Sequence, residues 1–129
     1  MDLPQPSEYW HQCQIFDWRD CNIARYPELK WLSGSINGVK LPVGLAVKCK
    51  RAGLARGAPD IELPVCKGGY NGLAIELKRE KGGQLKPAQQ HWLEMLKAQG
   101  RYACVCHGYR AAIEIIEKYI LNELCKPIA

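Results

Sequence analysis

Residues 60–79 contain two strand patterns joined by a turn, and this segment constrains the fold more than any other. Residues 60–64 (DIELP) predict a strand that the final proline ends. Residues 67–72 (KGGYNG) predict a glycine-rich turn, and residues 73–79 (LAIELKR) predict the returning strand. The segment is therefore predicted to form an antiparallel hairpin.

Helical patterns lie on both sides of this hairpin. They cover residues 7–24, residues 43–52, a segment from Pro87 to a stop at Gly100, and the segment after Gly108. Residues 31–33 and 101–107 predict two further strands. This order predicts a mixed β-sheet flanked by helices, an α/β fold. With 129 residues, the chain has the size of one domain, which we expect to cover residues 1–129.

Composition excludes several classes of protein. The apolar runs are short and interrupted by charges such as Lys48 and Lys50, so none is predicted to span a bilayer. The first residues (MDLP) lack the basic and apolar segments of a secretory signal, which predicts a protein of the cytosol. The seven cysteines are odd in number and lack zinc-ligand spacing, so we expect reduced and mostly buried thiols.

The net charge of +5 permits a polyanionic partner without requiring one. Its distribution is uneven. One basic group lies shortly before Asp60, and a second surrounds the end of the returning strand; these groups contain Lys48, Lys50, Arg51 and Arg56, and Lys78, Arg79 and Lys81.

Two acids and a lysine are expected to meet on this hairpin. Because strand side chains alternate, Glu76 and Lys78 share one face while Ile75 and Leu77 point into the core. Hairpin pairing can then bring Asp60 beside Glu76, at an edge of the sheet. Adjacent carboxylates repel unless a cation compensates them, and oxygen ligands of this kind suit Mg²⁺ or Mn²⁺. A nearby lysine can hold the attacking water, so the group predicts metal-dependent phosphodiester hydrolysis.

The same residues carry a resemblance to a known family. The run GAPD at residues 57–60, the run ELK at residues 76–78, and Gln89 followed by Trp92 and Leu93 resemble the VRR-NUC domain, a branch of the PD-(D/E)xK nucleases. The resemblance extends from Glu8 to Val105 and is to the small standalone phage and bacterial members. It implies a restriction-endonuclease-like core.

The resemblance also implies roles for individual residues. Asp60 and Glu76 would bind the metal together with the main-chain carbonyl of Leu77, and Glu8 would be a further acidic ligand, directly or through water. Lys78 would orient the nucleophilic water. Gln89 would steady the site from the following helix, and Gln12 could do the same.

Several residues keep alternative interpretations. Glu8 could instead be a first-turn acid that the helix dipole favours. Glu62 could be a second ligand on its strand, or be solvated or paired with a lysine. His11 and His91 have no partner at metal-ligand spacing and are expected at the surface or its boundary. Trp92 is expected in the core.

The late part of the chain departs from the family pattern. Where the family name refers to a Val-Arg-Arg sequence, this chain has Val105-Cys106-His107, with Arg110 further on. His107 could replace the basic contact, or it could be a strand-end histidine with an ordinary hydrogen bond. The role of the late basic residue is therefore open.

The substrate and assembly follow from the same resemblance. Standalone members resemble DNA-junction enzymes, and no base-reading module is visible in 129 residues. Symmetric cutting of a four-way junction needs two sites, which predicts a homodimer through the first or last helix. The leading interpretation is a Mg²⁺-dependent Holliday-junction resolvase in a bacterial or phage-infected cytosol. A less selective flap or duplex nuclease and a non-catalytic DNA-binding module remain alternatives.

Overall fold

The computed structural model describes residues 3–37 and 39–128. The sequence Asn37-Gly38 predicts a turn, and its second residue, Gly38, lies outside these ranges. The helices and strands are α1 (Glu8–Asn22), a 3₁₀ helix (Pro27–Trp31), β1 (Ser33–Gly34), α2 (Val43–Arg51), β2 (Ile61–Leu63), β3 (Leu73–Lys78), α3 (Pro87–Ala98), β4 (Tyr102–His107) and α4 (Tyr109–Ile120).

Four strands form one mixed sheet in the order β1-β2-β3-β4. The pairs β1–β2 and β2–β3 are antiparallel, whereas β3 and β4 are parallel. The predicted hairpin is therefore present, and the parallel pair is connected by α3, as parallel strands require a crossover. The expected α/β fold with a mixed central sheet and flanking helices is confirmed.

Apolar side chains cover both faces of the sheet. On one face, Ile75 and Leu77 of β3 pack in the main core, which includes Ile15 of α1 and Ile116 of α4. On the other face a smaller cluster contains Ala74, Leu93, Leu96 and Ala103, with Trp92 packed against it. All six residues of β3 are buried. Any polar side chain on β3 must therefore find its partners inside the protein.

Three local expectations are wrong. Residues 31–33 were predicted as a strand, but Trp31 ends a 3₁₀ helix and only Ser33 and Gly34 pair with β2. Pro27 lies at the start of that 3₁₀ helix, where its fixed φ favours a helical turn. The thiols are unpaired, but they are not mostly buried, because only Cys106 is buried.

The third correction concerns the position of the acids. They were expected at a sheet edge, yet β3 has hydrogen-bonded neighbours on both sides. Glu76 and Lys78 therefore lie on a face of the sheet. Within the described residues, none of the helices has the length and apolar character needed to cross a bilayer.

Candidate active site

Strand pairing brings Asp60 next to β3. Ile61 pairs with Ile75 in the antiparallel register, so Asp60, one residue earlier, lies opposite Glu76. The Asp60 carboxylate accepts a hydrogen bond from the Leu77 backbone N–H at 2.7 Å. The residue is only 5% exposed. This contact fixes the first acid to the segment of β3 that carries the second acid and the lysine.

Glu76 is buried on the face opposite the main core, with 2% of its surface exposed. One carboxylate oxygen, Oε1, accepts a hydrogen bond from Gln89 Nε2 at 2.8 Å. The other oxygen, Oε2, is buried and has no hydrogen-bond partner. A carboxylate oxygen left without a donor in the interior is costly, so this atom points to a ligand that the protein itself does not provide.

Burial raises the affinity of both acids for protons. Burial, together with the negative charge of Asp60, raises the pKa of Glu76 to about 8. Burial also raises the pKa of Asp60, although the Leu77 N–H and the Lys78 charge oppose this change. Because burial disfavours the ionised form of both acids, a bound cation would stabilise that form.

Lys78 provides a cation beside the acids. Its Nζ lies 3.7 Å from Glu76 Oε1 and donates a hydrogen bond to Gln89 Oε1 at 2.9 Å. The residue is 4% exposed. A buried ammonium group this close to a carboxylate is held in one position by its partners rather than by solvent.

Gln89, in the first turn of α3, connects Glu76, Lys78 and the start of its own helix. Its Oε1 accepts hydrogen bonds from Lys78 Nζ and from the Lys86 backbone N–H, each at 2.9 Å, while its Nε2 donates to Glu76. Both ends of the amide are therefore engaged, which fixes its orientation. The helix start and the buried lysine depend on the same side chain.

Glu8 begins α1 and lines the same cleft as Asp60 and Glu76. Ser7 caps this helix by accepting a hydrogen bond from the Trp10 N–H at 3.1 Å. The negative charge of Glu8 contributes to the raised pKa of both buried acids. Across residues 3–37 and 39–128, no three His, Cys, Asp or Glu side chains form a compact metal-binding group. Glu8 therefore faces the acids without joining them in one cluster.

The residues present fit a hard divalent cation. The Oε2 atom of Glu76 has no hydrogen-bond partner and lies beside a second buried acid. Carboxylate oxygens of this kind are the ligands that Mg²⁺ and Mn²⁺ prefer, so these atoms could hold such an ion. Asp60, Glu76 and the main-chain carbonyl of Leu77 are the candidate ligands. The buried acids need either protons or such a cation.

The acids open into a cleft of about 770 Å³ with a basic rim. Lys50 and Arg56 line it before β2, and Arg79 and Lys86 line it after β3. Sequence reasoning missed Asn37, whose Nδ2 donates to Ala55 O at 2.9 Å and so holds the loop that precedes Asp60. An asparagine before a glycine predicts a turn, and nothing in that pattern indicates a partner 18 residues away.

Other sequence candidates lie elsewhere. Gln12 donates to Ser35 O at 3.0 Å and does not reach the acids. Glu62 pairs with Arg101 at 3.0 Å. His107 Nδ1 lies 3.1 Å from Arg79 O, which is an ordinary hydrogen bond of a histidine at the end of a strand.

His11 contradicts its prediction. It was expected at the surface or its boundary, but it is 1% exposed. Its Nδ1 accepts a hydrogen bond from the Tyr109 backbone N–H at 3.1 Å, so it caps α4 from α1. Gly108 at the N-cap of α4 has no side chain to do this.

A mixed sheet that presents two acids and a lysine from one hairpin, beneath a basic cleft, is the architecture of a PD-(D/E)xK nuclease. The family model of the VRR-NUC domain matches residues 8–110. The chain belongs to the VRR-NUC family, a nuclease family whose domains typically use a divalent metal.

One solved structure, described as a VRR_NUC domain protein, is similar over nearly the whole chain. The TM-score is 0.76 and the sequence identity 29%, with 93% of each chain covered. A search of curated proteins found no match.

Proposed function

We propose that this protein is a divalent-metal-dependent endodeoxyribonuclease that acts on branched DNA, with the Holliday junction as its substrate and a homodimer as its working form. The observation that carries the proposal is the burial of Asp60, Glu76 and Lys78 together at the base of a basic cleft. Burying a group of this composition costs stability, and groups of this kind are concentrated at functional sites.

Each residue has a defined task in this proposal. Asp60, Glu76 and the Leu77 carbonyl would hold Mg²⁺ or Mn²⁺, with Glu8 acting through water from the opposite side of the cleft. When bound, the ion supplies Lewis-acid polarisation of a phosphate and a more acidic water. Lys78 would hold the attacking water and offset negative charge that develops at phosphorus. Gln89 would position Lys78 and Glu76 through its two hydrogen bonds.

The cleft favours a nucleic-acid backbone as substrate. Its rim carries Lys50, Arg56, Arg79 and Lys86, and such charges neutralise phosphates without reading base sequence. Selectivity would then come from DNA shape. Symmetric cleavage of a four-way junction needs two copies of a site that each chain carries once, which is the reason for proposing a homodimer.

The outer face of α1 is the better candidate for the dimer interface. Trp10 is exposed there, and its ring packs edge-on against Tyr109 of α4. The apolar residues Ala112, Ile116 and Ile120 of α4 are already buried in the core. Sedimentation of the wild type beside Trp10→Ala would test the assembly: a monomer that still cuts junctions symmetrically would contradict it.

One substrate panel tests the function. Labelled four-way junction, flap, duplex and single strand would be incubated with the protein in Mg²⁺ or in EDTA. We expect paired, symmetric cuts in the junction, and none in EDTA. Equal cutting of all duplex forms would support a less selective nuclease. Binding without any cutting would support a non-catalytic module and overturn the proposal.

A further inference from the structure

The positive charge of the chain is concentrated in one segment. Residues 29–59 contain six basic side chains and no acidic ones, whereas the rest of the chain has twelve basic and thirteen acidic side chains. The net charge of +5 therefore arises from this segment. Helix α2 lies within it, and its last turn contains Lys48, Lys50 and Arg51.

Helix α2 is also the most exposed helix of the described fold. It has no buried residue, and only Ala46 and Cys49 are half-buried. Three of its apolar side chains are exposed: Val43 (82%) and Val47 (61%) lie one turn apart on the same face, and Leu45 lies on another face. A helix that keeps both its charges and its apolar residues in solvent contributes little to a core, so its surface is available to a partner.

The helix is nevertheless tied to the candidate active site at its C-terminal end. Lys50 and Leu54 line the same cleft as the buried acids. Trp92 Nε1 donates to Arg56 O at 3.1 Å, and Gly57 approaches α3 so closely that an added Cβ would lie 2.8 Å from the Ala88 carbonyl carbon. From Lys50, the helix extends about 10 Å away from the cleft to Val43, given a rise of 1.5 Å per residue.

We propose that residues 43–56, here called the basic arm, bind branched DNA: the basic side chains contact phosphates beside the scissile bond, and Val43 and Val47 pack against base pairs exposed at the branch. This inference rests on the proposed function and names the part of the protein that selects the substrate. The ligand is a polyanion that also presents apolar faces.

Charge decides between DNA and a second copy of the chain as the occupant of this surface. Two basic arms facing each other across a two-fold axis would place four positive charges against four, with no acidic residue in either arm to compensate them. DNA supplies the complementary charge. In a continuous duplex the base faces are stacked and hidden, so the apolar contact forms only where stacking is interrupted, as at a branch.

Binding in EDTA tests the inference without catalysis. Fluorescence anisotropy would measure the affinity of the wild type for a four-way junction and for a duplex of equal length across a salt series. The variant K48A/K50A/R51A should bind both DNAs at least 10-fold more weakly, with a salt slope lower by about 2 to 3. The control K97A/K118A/K126A removes the same charge from residues outside the cleft and should stay within about 3-fold of wild type.

A second variant tests the apolar contact. V43A/V47A keeps every charge and favours the helix, so any loss reports the missing side chains. We expect about 5-fold weaker junction binding and unchanged duplex binding. Equal loss for both DNAs, a shift from dimer to monomer, or no DNA binding by the wild type would each overturn the inference. The proposed function is decided separately, by whether the wild type cuts junctions in Mg²⁺.

Discussion

The Asp60 carboxylate accepts a hydrogen bond from the Leu77 backbone N–H at 2.7 Å, and this contact ties the two strands of the hairpin together at the site. Leu77 lies between Glu76 and Lys78, so its N–H holds the first acid within reach of both. The contact belongs to the buried interior, where a hydrogen bond to a charged group is worth more than in water. The geometry of the candidate site therefore depends on strand pairing rather than on flexible loops.

Lys78→Ala should separate cutting from binding. Removing the ammonium takes away the group proposed to hold the water, while the basic rim of the cleft is retained. We expect junction cleavage in Mg²⁺ to fall at least about 100-fold, with the dissociation constant in EDTA within about 2-fold of wild type. Lys81→Ala, an exposed lysine in the following loop, serves as control. Undiminished turnover would reject the role of Lys78.

The metal-free protein should lose stability as pH rises. Glu76 has its pKa raised from 4.5 to about 8 in the folded state. Between these values the folded protein holds a proton that the unfolded chain has released, so the free energy of unfolding falls with increasing pH. Thermal unfolding in EDTA from pH 5 to 9 would measure this. Glu76→Gln should flatten the profile, and a Tm that increases with pH in the wild type would contradict the prediction.

Divalent metal should stabilise the protein most where the acids are ionised. At pH 8, millimolar Mn²⁺ should raise the Tm by roughly 5 °C, because binding to the folded state alone adds to the free energy of unfolding. Asp60→Asn should abolish most of this increase. Glu62→Gln, which alters an acid paired with Arg101, should keep it. A wild type whose Tm does not respond to Mn²⁺ would argue against the metal site.

Gln89→Leu should reduce turnover more than affinity. The change keeps the side-chain size but removes the hydrogen bonds to Glu76, Lys78 and the Lys86 N–H. We expect kcat about 10- to 100-fold lower with KM nearly unchanged, and a loss of roughly 1 kcal/mol in stability from the helix start. Gln90→Leu, at the neighbouring exposed position, should change neither. If Gln89→Leu and Gln90→Leu lowered kcat equally, the positioning role of Gln89 would be contradicted.

His11→Ala should destabilise the fold. The buried ring accepts the Tyr109 N–H, so the change leaves a cavity and an unsatisfied donor at the start of α4. We expect about 1–3 kcal/mol lower free energy of unfolding, measured in urea. The exposed His91 provides the control, since His91→Ala should stay within about 0.5 kcal/mol of wild type. Equal stability of the two variants would contradict the capping contact.

The hairpin and its polar group could be predicted because both depend on local pattern. Alternation in β3 places Glu76 and Lys78 on one face, and antiparallel pairing places Asp60 opposite Glu76. Both consequences follow from the two-residue period of a strand. The position of Gln89 follows less directly, because it requires the packing of α3 on the sheet.

The remaining features depend on distant contacts that no local pattern reveals. The burial of His11 requires Tyr109, which is 98 residues later in the chain. The exposure of α2 is equally hard to predict, since apolar residues one turn apart, such as Val43 and Val47, are also typical of a helix that packs on a core. The 3₁₀ helix before β1 shows that a proline can outweigh a short strand pattern.

The β2–β3 hairpin turns at the end of its strands that lies away from the acids. Asp60 precedes β2 and Lys78 ends β3, so residues 64–72 turn at the other end of the same two strands. Cys66 is exposed in that turn. A fluorophore attached there, after the other exposed thiols at residues 21 and 125 are replaced, would report on binding without entering the cleft.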